Sequence, residues 1–271
     1  EHLDYYKGID EIKEAFLCFL DKIPFFGLAI LCLDHPNIQS LLPRLKKRFT
    51  TYGLTTQADF QAKEIVFEGL STSFDVVHRR QEIGRLKLRM PGLHNVYNAL
   101  ATLATAFELD IPFQVVQETL RDFNGIQRRF QIKGEKKGIL IVDDYGHHPV
   151  EIMATLKAAR TGWGKRIVAV FQPHRYSRTQ ALFKDFLAAF YDADVLILTD
   201  IYPAGEDRIE GVEAKALFEG LREYGHKDVT FLGDKKEIVE YLLRIISPGD
   251  LVITLGAGDI WQVSDELVKR L

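Results

Sequence analysis

Short apolar runs at residues 139–142 and 167–171, followed by further strand-like stretches at 195–198, 229–232 and 251–255, confine the second half of this chain to one kind of architecture. Runs of this type are strands covered on both faces, the property of parallel sheets. Helical stretches begin between and after them, near Pro149, Gln180, Val212, Lys235 and Asp259. Such alternation predicts an α/β fold with a doubly wound parallel sheet. In open sheets of that class ligands collect beyond the carboxyl ends of the strands. The run at 139–142 breaks into Asp143-Asp144-Tyr145-Gly146-His147-His148-Pro149, and the run at 167–171 breaks into Gln172-Pro173-His174-Arg175-Tyr176-Ser177-Arg178. Read as neighbouring strands, the two aim a carboxylate, imidazoles and two guanidinium groups at one crevice.

The first half reads differently. Ile12, Ala15, Phe16, Phe19 and Leu20 share a helical stripe, and residues 27–33 follow as a buried strand ended by Asp34-His35-Pro36. From Ala62 to Met90 the pattern turns to period-two alternation, as antiparallel strands with one wet face require. Helices are expected over 95–109 and 112–123, before an Asn124-Gly125 turn. A domain boundary is placed within 125–129, giving domains of residues 1–126 and 127–271.

Composition narrows the function. The 271 residues carry a net charge of -3, which supplies no basic field for nucleic acid, and no apolar stretch approaches the roughly 20 residues of a membrane span. A cytoplasmic protein is expected. Cys18 and Cys32, the only cysteines, have neither metal-ligand nor disulfide-framework spacing and are read as reduced core residues. The chain begins with Glu rather than Met and reads as a piece of something longer.

Asp143 and Asp144 end a buried strand, so one is expected to face the crevice while its neighbour turns back; a carboxylate that merely caps a turn is the plainer alternative. His147 and His148 precede Pro149, a favoured first helical residue, at a helix end that suits neutral, hydrogen-bonding imidazoles. Metal binding by two adjacent histidines is the weaker reading, because neighbours rarely reach one ion. Arg175 and Arg178, one turn apart, can hold a carboxylate or phosphate bidentately, although surface ion pairing is the commoner fate of arginine. Asn95 and Asn98 share a helical face and offer the donors and acceptors that a heteroaromatic base edge needs; helix capping by Asn95 and plain solvation of Asn98 compete with that. Arg128-Arg129 falls on the expected joint between domains, where a cation could meet a ligand held by both. Gly256-Ala257-Gly258-Asp259 has a phosphate-loop outline but is read as tight strand-to-helix packing. No G-x-x-x-x-G-K-[ST] loop occurs; Gly162-Trp163-Gly164-Lys165 lacks its spacing and its hydroxyl.

Taken together, Pro91-Gly92-Leu93-His94-Asn95-Val96-Tyr97-Asn98-Ala99-Leu100, Arg128-Arg129-Phe130, Asp143-Asp144-Tyr145-Gly146-His147-His148-Pro149 and Phe171-Gln172-Pro173-His174-Arg175-Tyr176-Ser177-Arg178-Thr179 closely resemble the Mur ligases. Tyr202-Pro203-Ala204-Gly205-Glu206, Leu255-Gly256-Ala257-Gly258-Asp259 and the start Glu1-His2-Leu3-Asp4 are similar too. The resemblance spans the whole chain. It implies part of the central ATPase domain followed by a C-terminal Rossmann-like domain for the amino acid, without the UDP-sugar domain and the P-loop half of the central domain. The implied activity is ATP- and Mg²⁺-dependent joining of L-alanine to UDP-N-acetylmuramate through an acyl phosphate, in peptidoglycan synthesis, with this polypeptide alone inactive.

By motif position the resemblance makes His2 a magnesium ligand and puts Asn95 and Asn98 on adenine. It places Arg129 on ATP phosphate, with Asp144 helping to hold the nucleotide. Tyr145, His147, Arg175 and Arg178 then surround the incoming alanine and the reacting carboxylate. Competing readings are a non-catalytic nucleotide- or anion-binding module and a related ligase that attaches a preformed murein peptide in recycling. Against the latter stands the segment from His174 to Arg178. A metal-dependent hydrolase using His147 and His148 is a distant third.

Overall fold

The computed structural model describes residues 5–271, which divide into two compact units between Asn124 and Gly125. The first unit runs α1 (Ile9–Asp21), β1 (Ala29–Cys32), α2 (Pro36–Gln39), β2 (Phe49–Gly53), β3 (Phe60–Glu68), β4 (Ser71–His78), β5 (Gln81–Leu88), α3 (Leu93–Glu108) and α4 (Phe113–Asp122). Its sheet keeps sequence order, β1-β2-β3-β4-β5: the first three strands are parallel, and β4 and β5 add on antiparallel as the period-two pattern predicts. Phe60, Phe74, Val76, Leu86 and Leu88 supply the inner face, and α3 packs on it through Val96, Leu100 and Leu103. β5 passes so close to α4 that a Cβ at Gly84 (φ 141°) would lie 2.6 Å from the Phe113 ring.

Two expectations fail on α1. Its buried residues are Leu17 and Leu20, with Leu20 clustered with Ala29 and Leu31, whereas Phe16 and Phe19 are exposed. Cys18 is likewise exposed and Cys32 only half-buried, so neither is a core residue. The periodicity was legible, but two bulky residues of the stripe lie outside the face that meets the sheet.

The second unit runs β6 (Gln131–Lys136), β7 (Ile139–Asp144), α5 (Pro149–Trp163), β8 (Ile167–Phe171), α6 (Tyr176–Ala181), α7 (Phe183–Leu187), β9 (Val195–Leu198), α8 (Ala214–Glu223), β10 (Val229–Phe231), α9 (Lys235–Ile245), β11 (Leu251–Leu255) and α10 (Trp261–Arg270). The sheet order is β10-β9-β8-β11-β7-β6, parallel except for β6 at the edge, which pairs antiparallel with β7. All residues of β7, β8, β9 and β11 are buried, as strands with two covered faces must be. One correction matters for the site: β7 and β8 are not neighbours, because β11 lies between them. The helix expected near Gln180 begins earlier, at Tyr176, and is split into α6 and α7 at Leu182.

Candidate functional site

The tails of β7 and β8 meet across the end of β11. His147 lies with its ring 5.7 Å from that of His174, and Tyr145 packs edge-on against His147 at 5.4 Å. The approach to α5 fixes these groups. His148 is the N-cap and accepts the Val150 amide, while Glu151 accepts the backbone N–H of His147 and of His148, a reciprocal capping box. His148 is therefore engaged in helix initiation. His147 is buried at 9% exposure, and its Nδ1 donates to the Tyr145 carbonyl at 3.1 Å. Carbonyl oxygens only accept, so that nitrogen carries the proton.

After β8 the chain turns sharply: Arg175 takes φ 69°, its N–H donates to Tyr202 O at 2.9 Å, and its carbonyl accepts the Thr179 hydroxyl. His174 stacks on Tyr202 at 5.6 Å with ring planes 12° apart. Arg178 Nη1 donates to His174 Nδ1 at 3.1 Å, which leaves the hydrogen of the neutral ring on Nε2. Burial first, then the charges of Arg178, His147 and Arg175, push the His174 imidazole down to about 4, so it is neutral near pH 7. Glu206 accepts the Ser177 hydroxyl at 2.6 Å and the Ser177 amide at 3.1 Å, and stands 3.9 Å from Arg175. Burial would raise the Glu206 carboxyl, but the Ser177 bonds and Arg175 hold it below its usual range.

The carboxylate expected to face the crevice does not stand open in it, since both are buried. Asp143 bonds Arg128 and Thr254, and Asp144 accepts the amides of Phe130 and Gly146, each at 2.7 Å. Burial pushes the Asp144 carboxyl up, against the pull of those two amides. With both Asp144 oxygens engaged by backbone, the residue organises the surrounding loops. Arg129 is half-exposed, 5.6 Å from the Tyr145 ring centre and 3.3 Å from Glu151.

The glycines of the β11 loop are explained by packing. A Cβ at Gly256 would lie 2.9 Å from Gln172 O, and one at Gly258 would lie 2.4 Å from Gln172 Oε1 and 2.6 Å from the Tyr202 ring. Asp259 is claimed by Lys235 and by Gln172 at 3.0 Å.

In the first unit, Gly92 rather than Asn95 caps α3. Asn95 Nδ2 donates back to Pro91 O at 2.7 Å, and Asn98 Nδ2 reaches Asn95 Oδ1 at 3.3 Å, so the amides do share a face and Asn98 is exposed. Beside them is a feature that the sequence reading missed. Asp34, at the end of β1, accepts the Leu54 and Thr55 amides and the Tyr97 hydroxyl at 2.9 Å, tying two strand ends to α3. A Cβ at Gly53 would stand 2.7 Å from Asp34 Oδ1.

His2 lies outside the described residues. Among the described residues no three His, Cys, Asp or Glu side chains converge as metal ligands. His147 and His148 belong to no such cluster, so the hydrolase reading has none to rest on. For a nucleotide the fit is partial: the Asn95–Asn98 face suits a base edge, while the sequence offers no P-loop.

Residues 128–258 match the Mur ligase glutamate ligase domain and residues 1–106 the Mur ligase middle domain. The chain belongs to the Mur ligase family. Among its relatives, the UDP-N-acetylmuramate–L-alanine ligase of Geotalea daltonii is 56% identical over 271 residues, covering all of this chain and 59% of that protein. That of Geobacter sulfurreducens is 55% identical over 273 residues, with the same coverage. The crystal structure of the UDP-N-acetylmuramate–alanine ligase from Thermotoga maritima superposes with a TM-score of 0.78 at 26% identity, covering 100% of this chain and 57% of that one. The MurF of Acinetobacter baumannii shares the fold, with a TM-score of 0.80 at 17% identity, over 99% of this chain and 57% of its own. The chain thus spans only 59% of the length of the first of these relatives.

Proposed function

We propose that this chain is the middle and C-terminal part of a cytoplasmic ligase of peptidoglycan synthesis that uses ATP to join L-alanine to UDP-N-acetylmuramate. The observation that carries the reading is the His147, His174, Arg178 cluster at the strand ends, in a chain 56% identical along its whole length to ligases of that name. In the proposed reaction the lactyl carboxylate takes the γ-phosphoryl group of ATP, and the alanine amine attacks the acyl phosphate and expels phosphate.

Asn95 and Asn98 read the adenine edge through amide donors and acceptors on one face of α3. Arg129 meets nucleotide phosphate, and Asp144 acts at one remove by holding Phe130 and Gly146. Arg175 and Arg178 hold the alanine carboxylate, where two planar forks also set its direction. A neutral His174 adds a directed donor beside them without a further charge. Tyr145 and His147 flank the amine and the reacting carboxyl. Positioning of this kind shortens the path to attack geometry and is where the protein's own contribution to rate lies.

The test is phosphate release by the complete gene product with ATP, UDP-N-acetylmuramate and L-alanine. Turnover is expected to require all three, and the 271-residue chain alone is expected to give none. Preference for a preformed peptide over L-alanine would move the assignment to a recycling ligase, and nucleotide binding without turnover by the complete product would leave a binding module.

A further inference from the structure

Residues 126–130 carry Arg129 on a turn bent against its own preference. Arg128 at φ 59° and Phe130 at φ 45° both occupy the left-handed region, which is strained for residues that have a Cβ. The end of β7 holds them there. Phe130 N–H donates to Asp144 at 2.7 Å, the Arg128 carbonyl accepts the Tyr145 amide at 2.6 Å, and Arg128 N–H donates to Gln131 Oε1 at 2.9 Å. The Arg128 side chain then fastens the turn a second time. Its Nε donates to Asp143 at 2.9 Å, Nη2 to Gly256 O at 2.6 Å and Nη1 to Gly258 O at 3.2 Å. Asp143, fully buried, is completed by the Thr254 hydroxyl at 2.7 Å. A planar guanidinium can serve three acceptors in fixed directions, and an ammonium on a flexible stem cannot hold the same fork. Tyr145 lies against both arginines, 5.0 Å from Arg128 and 5.6 Å from Arg129.

We infer that Arg128 and Asp143 are positioning residues, which lock the 128–130 turn to the ends of β7 and β11 and thereby set the direction in which Arg129 and Tyr145 face their ligand. This rests on the proposed reading of Arg129 as a phosphate contact. Neither Arg128 nor Asp143 touches ligand in this scheme: the Asp143 carboxylate is enclosed, and all three nitrogens of the Arg128 guanidinium donate to protein acceptors.

The test has two readouts. In the complete ligase, Arg128→Lys is expected to speed amide hydrogen exchange of Phe130 and Tyr145 about tenfold, the scale of one lost charge-assisted bond, and to leave the centre of β8 unchanged. Asp143→Asn, which keeps the shape and loses the charge, gives the same pattern and serves if the lysine variant does not fold. In the complete ligase, Arg128→Lys is expected to raise KM for ATP to about the extent of Arg129→Lys, which itself leaves exchange unaltered. Faster exchange together with a raised KM supports the inference. A raised KM with unchanged exchange would make Arg128 a direct contact and overturn it, and faster exchange with unchanged KM would reduce the couple to structure alone. Arg129→Ala with unchanged KM and kcat would sink the reading of Arg129 and this inference with it, whereas unchanged exchange in both turn variants sinks the inference only.

Discussion

The two sheets solve different problems. In the second unit four strands are enclosed along their whole length, so their polar side chains, Asp143, Asp144 and Thr254, fall in the last residues of β7 and β11 and the rest lie beyond the strand ends. In the first unit β4 alternates between buried and half-exposed positions and β3 and β5 are each buried over only part of their length, and the candidate ligand residues sit on the flank of a helix instead of at strand ends. The enclosed sheet therefore yields a site whose groups are each held by several partners, His174 and Asp143 among them. The half-wet sheet yields a looser one, in which Asn98 is exposed and bonded only at 3.3 Å.

That contrast predicts unequal sensitivity. Phe171→Ala, at the wholly buried end of β8 against Phe186 and Phe190, is expected to cost about 3–5 kcal/mol by urea denaturation, whereas Val66→Ala on the wet face of β3 should stay within about 0.5 kcal/mol. Equal losses would break the comparison at its base. In the complete ligase, Arg175→Ala is expected to raise KM for L-alanine about 10- to 100-fold with a smaller change in kcat, the loss of one or two charge-assisted bonds. Unchanged KM and kcat would remove Arg175 from the carboxylate clamp. Gly258→Ala should destabilise by about 1–3 kcal/mol, because the added methyl meets Gln172 and Tyr202 in a space already filled. A neutral outcome would mean that the β11 loop yields more readily than its contacts suggest. Asn98→Ala should raise KM for ATP by no more than about tenfold, the worth of a single exposed hydrogen bond, and a larger effect would show the first unit's site to be as tightly built as the second's.

A further expectation concerns pH. An unfolded chain protonates His174 near 6.5, but the folded protein resists protonation down to about 4, so the native state binds fewer protons in that window. Stability that is complete above pH 6.5 is therefore lost as the pH falls toward 4. Urea midpoints at pH 7 and pH 5 should differ more for the parent than for His174→Gln; parallel shifts would place the imidazole in water.

Much of the second unit was legible because its signals are local: an apolar run names a covered strand, and Pro149 marks the start of α5. Spatial order was not, since parallel crossovers let β11 enter between β7 and β8 without any trace in the runs themselves. β6 was missed because an edge strand of the composition Gln-Ile-Lys-Gly-Glu-Lys, with a register shift between Ile132 and Gly134, carries no apolar signal. β2, of five residues, is also short and carries little apolar signal. Which tail residues converge was foreseeable from the strand ends, but which carboxylate serves which backbone amide depends on the left-handed turn at Arg128 and Phe130, and only coordinates reveal that. The Asp34–Tyr97 bond escaped for the same reason: its partners are 63 positions apart.

That bond has an evolutionary corollary. With Asp34 gripping the chain beyond β2 and the hydroxyl on α3, and with no room for a side chain at position 53, drift at any one of residues 34, 53 and 97 is penalised unless the others follow. In an alignment of relatives these three columns should vary as a correlated set, and lineages that replace the aspartate should be those free to place something bulkier than hydrogen at 53.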